Sequence, residues 1–198
     1  ITAPLGSILN PMPPAPVRAR LLPSYRVFNS VMMALSKVVP ERVIAPGYDT
    51  TTAACLSQFN DGKYNIYLEI FGGGYGGGAH SDGVDGIDCA LSNCSNIPLE
   101  AMELDYPFFR VENYALLPDS GGKGKHRGGL GFEKSYRILE DGVTFATYGD
   151  RFRIAPPGLF GGGPGRHAAN LIERGDETIV VGSKAGLELK KGDLLVMR

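Results

Sequence analysis

The chain has 198 residues, of which 43% are hydrophobic and 21% are charged, and its formal net charge at pH 7 is -1. Both fractions are ordinary for a globular domain, and the dispersed Lys and Arg residues form no basic stripe that would indicate a nucleic-acid partner. The longest apolar runs are too short to span a bilayer. The 28 glycines are roughly twice the usual share, so we expect tight turns and close backbone contacts.

The first part of the chain is rich in proline. Residues 1–23 contain six prolines, which fix φ and remove backbone donors, so we predict an extended arm there. Ser24 is expected to cap a helix over 25–39, in which apolar residues recur at three- and four-residue steps, and Pro40 should end it. Residues 24–198 are predicted to form a single β-rich domain within a larger subunit.

Short segments rich in β-branched and aromatic residues then alternate with turn residues. Strands are predicted over residues 64–71, 108–116, 133–139, 143–148, 178–181 and 194–197. The strands 133–139 and 143–148 should pair as a hairpin around residues 140–142, and residues 97–103 should form a short helix. The pattern predicts an α+β fold, with mostly antiparallel strands, few helices and long glycine-rich loops.

Three cysteines, Cys55, Cys89 and Cys94, are too few and too loosely spaced for a disulfide framework. We predict reduced thiols and a cytoplasmic protein. The alternative is a zinc site at Cys89 and Cys94, which would need two more ligands that the nearby sequence does not supply.

A glycine-rich loop over residues 72–78 follows a predicted strand. It lacks the Gly-Lys-Ser or Gly-Lys-Thr of a Walker loop, and no helix is predicted directly after it to offer its N-terminus to a phosphate. One interpretation is a tight crossing in which side chains do not fit. The other is a loop that contacts substrate or product. The residues in contact would then be Gly73, Gly74, Gly76 and Gly77.

A polar cluster follows the glycine loop and contains His80, Asp82, Asp85 and Asp88. Carboxylates beside a histidine can bind Mg or Mn or act in catalysis. The same spacing, with Gly83 between the acids, is also typical of a run of side-chain-stabilised turns. Both interpretations remain open from the residues alone.

A second loop, which is basic and predicted to be flexible, covers residues 119–129. Arg127 or Lys125 could hold a carboxylate or phosphate there, or the loop could be a solvated turn whose arginine pairs with a neighbouring acid. A β-branched residue at Gly128 or Gly129 would be strained if these positions need positive φ. Further on, Asp150 and Arg151 are predicted to form a buried ion pair that fixes a loop.

Five segments of the chain together resemble one family. They are residues 4–11, residues 72–86, the segment from Asn93 to Pro107, residues 119–131 and residues 150–162. The most specific is residues 119–131, which resembles the pattern DSGGxGxxRGGxG. The segments occur in the order of the family and cover nearly the whole chain. The chain thus resembles the hydantoinase B family, which is related to the C-terminal part of 5-oxoprolinase and to acetone and acetophenone carboxylase subunits.

The resemblance implies part of a multisubunit, ATP-dependent enzyme that opens a cyclic amide such as a hydantoin, 5-oxoproline or a lactam after phosphoryl activation. ATP-dependent carboxylation of a ketone is the alternative activity. A non-catalytic assembly module is an alternative of another class. If the chain is catalytic, we expect His80, Asp82, Asp85 and Arg127 nearest to the chemistry, with Arg127 holding anionic oxygen and the acids assisting water or metal.

The resemblance also implies the partners and cofactors. ATP would bind to an A-type partner, and the complex would be a hetero-oligomer without nucleic acid or membrane. The family's N-terminal half, which carries its metal-binding segments, has no counterpart here. We therefore expect a divalent Mg, Mn or Zn ion to bind outside this chain, and no metal site within it. We also expect the chain to be a piece of a larger subunit.

Overall fold

The computed structural model describes residues 2–17, 21–88, 92 and 94–198. Cys89 and Asn93, which the sequence analysis singles out, lie outside the described residues. The described helices are α1 (Leu21–Leu35) and α2 (Leu99–Asp105), with a 3-10 turn at Pro40–Arg42. The strands are β1 (Thr52–Asn60), β2 (Lys63–Phe71), β3 (Phe109–Leu116), β4 (Phe132–Ile138), β5 (Val143–Tyr148), β6 (Asn170–Arg174), β7 (Glu177–Val181), β8 (Lys184–Leu189) and β9 (Leu194–Met197).

These strands form two sheets. One has the order β2-β1-β5-β8 and the other the order β3-β4-β9-β6-β7. Every pair of neighbouring strands in them is antiparallel. The predicted α+β fold with mostly antiparallel strands is therefore confirmed. In the described part of the chain, no helix has the length and apolar character needed to cross a bilayer.

The sequence predicts only one strand of the first hairpin. It indicates β2 from residue 64, but not its partner β1. The two strands pair from Thr52 opposite Phe71 to Asn60 opposite Lys63. Asp61 and Gly62 join them, both with positive φ, which is the two-residue turn that Asp-Gly favours in hairpins.

The predicted hairpin between β4 and β5 is wrong. β4 pairs with β3 and β9, whereas β5 pairs with β1 and β8. The turn at residues 140–142 does reverse the chain, with Gly142 at φ +75°. However, it carries the chain from one sheet to the other. Turn residues report that the backbone bends, but not which strands will pair.

Helix α1 begins earlier and ends earlier than predicted, at Leu21 and Leu35. Pro23 is accommodated because a proline in the first turn of a helix removes an N–H that has no intrahelical acceptor. Ser24 therefore lies inside the helix and does not cap it. Tyr25 and Asn29 are its buried residues. The division of the chain into an arm over 1–23 and one domain over 24–198 stays a prediction.

The hydrophobic core lies between the two sheets. Its buried members come from both, and Leu56 and Phe145 of one sheet and Ile172 and Leu195 of the other have no exposed surface. The alternation along β5 is typical, since Val143 and Phe145 are buried while Thr144 between them is exposed. Burying each large apolar side chain contributes about 1.5–3 kcal/mol. As expected without tryptophan, Phe and Tyr supply the largest core side chains.

A buried ion pair connects the two sheets. Glu69 of β2 accepts hydrogen bonds from Nζ of Lys134 on β4, at 2.7 Å to each carboxylate oxygen. Their side chains are 8% and 1% exposed. The hydroxyls of Tyr67 and Tyr136 also donate to Glu69, and Nζ of Lys134 lies 4.7 Å from the Tyr114 ring centroid. The buried Glu69 carboxylate thus accepts hydrogen bonds from three side chains, and the buried Lys134 ammonium has the carboxylate and an aromatic ring as partners.

Both tyrosine hydroxyls stay protonated in this cluster. Burial raises the pKa of Tyr67 and of Tyr136 far above the ordinary tyrosine value, and the negative charge of Glu69 raises both further. They are thus permanent donors to the carboxylate. This makes the cluster a fixed set of four side chains that specifies how the sheets face each other.

We expect Lys134→Met to destabilise the protein by about 3–5 kcal/mol, because it leaves the Glu69 carboxylate buried without a cation. Urea denaturation measures the change. The double variant Glu69→Gln with Lys134→Met removes both charges and keeps an acceptor for the tyrosines, so it should lose less than Lys134→Met alone. Lys63→Met, at the exposed start of β2, is the matched control and should change stability by under about 0.5 kcal/mol. Equal losses in the single and double variants would contradict this account.

Candidate functional site

Glycine-rich loops enclose a cavity of about 600 Å³ beside the two sheets. A volume of this size suits a small-molecule ligand. Its walls come from segments that are distant in the chain. They are residues 40–48, the glycine loop 72–79, residues 117–132, the proline- and glycine-rich loop 156–168, and single residues from two further places, Arg151 and Arg198.

The glycine loop crosses its neighbours at distances that no side chain permits. A Cβ atom built on Gly74 would lie 2.0 Å from the carbonyl oxygen of Gly129, and one on Gly76 would lie 1.8 Å from that of Ala45. A Cβ on Gly83 would lie 2.1 Å from the Tyr75 oxygen. The tight crossing that the sequence suggests for this loop is therefore present.

Backbone hydrogen bonds hold the crossing together. The Gly129 N–H donates to the Tyr75 oxygen at 2.7 Å, and the Tyr75 N–H donates to Val84 at 3.0 Å. On the other side, the Tyr48 N–H donates to Gly74 at 2.9 Å. Three segments are thus joined peptide to peptide, and the cavity wall is formed largely of backbone.

Steric exclusion, and not positive φ, explains the glycines at residues 128–129. Neither residue has positive φ. A Cβ on Gly129 would lie 2.0 Å from the Val84 oxygen, and one on Gly128 would lie 2.9 Å from the Gly122 nitrogen. The expected intolerance of side chains has a different physical cause from the one proposed from sequence.

Three of the four predicted catalytic residues, Asp82, Asp85 and Arg127, meet one another, but outside the cavity. The Arg127 guanidinium donates to both oxygens of Asp85, at 2.7 and 3.0 Å, and Asp85 also accepts the Leu130 N–H at 2.7 Å. Asp82 accepts the backbone N–H of Arg127 at 3.0 Å, and His80 is exposed. None of these four residues lines the cavity. Their catalytic role stays a prediction, and in this geometry the Arg127 guanidinium is already hydrogen-bonded to Asp85.

The lowered pKa of Asp85 agrees with an ion pair between Asp85 and Arg127 that acts as a clamp between two loops. The hydrogen bonds from Arg127 lower the pKa of Asp85, and the Leu130 N–H lowers it further. The carboxylate is therefore ionised wherever the protein is folded near neutral pH. The pair ties the loop after β2 to the loop before β4.

The predicted glycine contacts, in contrast, do line the cavity. Gly73, Gly74, Gly76 and Gly77 all contribute to its wall, although contact with a substrate stays a prediction. Lys125 lines the cavity too, whereas Arg127, weighed with it as an anion ligand, does not. Sequence reasoning missed Arg166 and Arg198, because no local pattern links them to loops that precede them by tens of residues.

Arg151 fixes the back of the cavity, but not through the predicted ion pair with Asp150. It is buried and donates to the carbonyl oxygens of Tyr48 at 3.0 Å and Gly47 at 2.8 Å. Burial, together with the positive charge of Arg26, lowers the pKa of Arg151 to about 10. The predicted loop-fixing role is thus present with backbone partners.

The described residues do not fit a metal. No group of three or more His, Cys, Asp or Glu side chains among them is placed to hold an ion. Cys55 and Cys94 are free thiols.

Comparison with known proteins places the chain in a family. A sequence model of the family described as hydantoinase B/oxoprolinase matches residues 1–198. This chain belongs to the hydantoinase B/oxoprolinase family. The resemblance seen in its glycine-rich segments is confirmed.

Curated relatives of the family are longer than this chain. A Pseudomonas sp. (strain NS671) protein, provisionally named as the B-type subunit of a D-/L-hydantoinase, is 36% identical over 90% of the chain and 29% of its own length. 5-Oxoprolinase 1 of Arabidopsis thaliana is 29% identical over 98% of the chain and 15% of its own length. The beta subunit of the Pseudomonas jessenii caprolactamase is 28% identical over 80% and 28%. The chain thus spans less than a third of each of these relatives.

Solved structures share the fold. The ATP-dependent caprolactamase of Pseudomonas jessenii superposes on 100% of this chain and 36% of its own, with a TM-score of 0.83 and 20% identity. A nucleotide-free acetone carboxylase superposes on 86% of this chain and 28% of its own, with a TM-score of 0.64 and 18% identity. The two-sheet architecture is therefore a known arrangement.

We expect Gly74→Ala to destabilise the protein by about 1–3 kcal/mol or more, because its Cβ would overlap the Gly129 carbonyl and separate the two loops. Thermal and urea unfolding measure the loss. Gly186→Ala is the matched control, since that glycine in β8 has open space around its Cβ position and no positive φ, and it should stay within about 0.5 kcal/mol of the parent. Equal stability of both variants would refute direct backbone packing.

The Asp85–Arg127 clamp predicts a defined pH dependence. Because the folded-state pKa of Asp85 is lowered from 3.8, the carboxylate adds stability above that pH and loses this contribution as the pH falls towards the folded-state pKa. The stability difference between the parent and Asp85→Asn should therefore be larger at pH 6 than at pH 3, as measured by urea midpoints. Asp176→Asn, on the exposed turn between β6 and β7, is the control for removing a carboxylate outside the clamp, and at pH 6 it should lower stability less than Asp85→Asn does. A pH-independent effect of Asp85→Asn would contradict the clamp.

Proposed function

We propose that this chain is part of a multisubunit ATP-dependent amidohydrolase that opens a cyclic amide, namely a hydantoin, 5-oxoproline or a lactam. The observation that carries the proposal is the glycine-walled cavity in a chain of the hydantoinase B/oxoprolinase family. Relatives whose names are those of a hydantoinase, a 5-oxoprolinase and a caprolactamase support a cyclic amide as substrate.

In this proposal ATP binds to an A-type partner subunit, which transfers the γ-phosphoryl group to the amide oxygen. The transfer weakens the amide resonance, makes the carbon more electrophilic and converts a poor leaving oxygen into a good one. Water then adds to the carbon, and the ring C–N bond breaks as the nitrogen takes a proton, which leaves an acyl phosphate. A second water hydrolyses the acyl phosphate to a carboxylate and inorganic phosphate. A divalent Mg, Mn or Zn ion would bind outside this chain, and the complex would work in the cytoplasm.

The role of this chain in that reaction is to position the substrate. The wall of peptide groups around Gly73, Gly74, Gly76 and Gly77 lets a flat amide ring approach the backbone closely, because no side chain stands between them. Hydrogen bonds between the loops keep that wall rigid before the ligand arrives, which reduces the ordering cost of binding. The four residues His80, Asp82, Asp85 and Arg127 would act from behind this wall.

Ketone carboxylation is the second candidate, favoured by the fold shared with acetone carboxylase. The same partner chemistry would then phosphorylate an enol oxygen instead of an amide oxygen. A non-catalytic module that only assembles the complex is the third. These functions differ in what stimulates ATP consumption.

The decisive experiment starts from the native mass of the protein isolated from its source, with every co-purifying polypeptide identified. We expect a larger ATP-binding subunit to travel with it. Release of ADP by that complex should then rise at least tenfold on addition of a hydantoin, 5-oxoproline or a lactam, and not with ketone plus bicarbonate. Stimulation by ketone and bicarbonate alone would select the carboxylase. A lone monomer of its own mass would remove the multisubunit proposal, and substrate-stimulated ADP release that persists without this chain would reduce it to an assembly module.

A further inference from the structure

The cavity has a strong imbalance of charge. Its lining includes one acidic side chain, Glu41, against five lysines and arginines. These are Lys123, Lys125, Arg151, Arg166 and Arg198. The whole chain carries 20 basic and 21 acidic residues, so this concentration of cations is a local feature of the cavity. A concave surface lined by one sign of charge attracts ligands of the opposite sign.

Two of the five cations have partners within the fold. Arg151 donates to the carbonyl oxygens of Gly47 and Tyr48. Arg198 pairs with Glu133 at 2.6 Å. In the described part of the chain, no acidic side chain lies within ion-pair distance of the other three, Lys123, Lys125 and Arg166.

The backbone holds these three cations on facing loops. The Gly163 N–H donates to the Lys123 oxygen at 2.7 Å, and the Arg166 N–H donates to the Ser120 oxygen at 2.9 Å. A Cβ on Gly122 would lie 2.4 Å from the Gly163 oxygen, so the loops touch through their peptide groups. Lys123, Lys125 and Arg166 are therefore presented by one joined wall, although they lie up to 43 positions apart in the chain.

We propose that this wall is an oxyanion-binding site, in which Lys123, Lys125 and Arg166 hold a phosphoryl or carboxylate group of the ligand. Arginine can donate two parallel hydrogen bonds to such a group, and lysine supplies a mobile point charge. The inference deepens the proposed function and rests on it for the identity of the ligand. Phosphoryl transfer attaches a phosphoryl group to the oxygen of the amide carbon, and ring opening converts the same carbon to a carboxylate, so one site serves the activated substrate and the product.

The test is isothermal titration of the purified protein, with its co-purifying subunits, against inorganic phosphate at constant ionic strength. Lys125→Met and Arg166→Met should each weaken phosphate binding about five- to tenfold, since each removes a charge-assisted hydrogen bond, and the double variant should lose this binding event. Lys184→Met, on exposed β8 outside the cavity, should bind phosphate like the parent. Melting temperatures equal to that of the parent show that the variants are folded.

Because an ATP-binding subunit has a phosphate site of its own, the proposal is tested by the difference in binding heat between the parent and its variants, and not by the total heat. Unchanged phosphate affinity in the double variant would overturn the proposal. Competition by acetate at similar concentrations would identify a site for carboxylates as well as phosphate, whereas phosphate binding that acetate leaves unchanged would identify a phosphoryl site.

The ADP-release assay separates failure of this inference from failure of the proposed function. If cyclic amides stimulate ADP release and the double variant keeps the parental KM, the oxyanion site is wrong and the amidohydrolase stands. If no cyclic amide stimulates ADP release but the double variant loses phosphate binding, the site is present and the proposed reaction is wrong.

Discussion

The ion pair between Glu69 and Lys134 fixes more than the distance between two sheets. Glu69 lies on β2 three residues before Gly72, where the glycine loop begins, and Lys134 lies on β4 three residues after Gly131, where the second loop ends. The same contact at 2.7 Å therefore anchors the roots of both loops. Since the two charges are buried, moving one loop root away from the other would leave a charge without its partner, which is costly in a low-dielectric interior. The cavity inherits its geometry from this point in the core.

Beyond those roots, the loops are held by peptide groups packed directly on one another. Gly74 meets the Gly129 carbonyl, and Gly83 meets the Tyr75 carbonyl, at distances where any Cβ would overlap. Glycine in such numbers costs conformational entropy, and here the entropy is offset by hydrogen bonds between loops and by the Asp85–Arg127 clamp behind them. The result is a cavity wall built largely of backbone that has little freedom to change shape.

The fold class and most strand positions follow from local pattern, because alternation and turn residues act over a few residues. Pairing does not, because it depends on which strands share a core. The turn residues at 140–142 therefore predict a hairpin from sequence, although β4 and β5 belong to different sheets. The sequence pattern does not predict β1, although the turn residues Asp61 and Gly62 directly follow it. The site divides in the same way. The composition of residues 72–78 predicts a close crossing, but the hydrogen bond from the Arg166 backbone to Ser120 is a tertiary contact that no single segment encodes.

The contacts of Arg127 differ from the anion-holding role that the family resemblance implies for it. Within residues 119–131 it is the residue best suited to grip an anion, yet both of its terminal nitrogens are committed to Asp85. An arginine that already forms a forked ion pair must break it before it can hold a ligand, whereas Lys123, Lys125 and Arg166 have no such pair to break. If a ligand of the cavity is an anion, recruiting the two lysines costs the ordering of their side chains, whereas the charge of Arg166 also interacts with the Glu133 carboxylate. Recognition of such a ligand would then fall on cations outside the clamp, and the Asp85–Arg127 clamp would keep the wall in place.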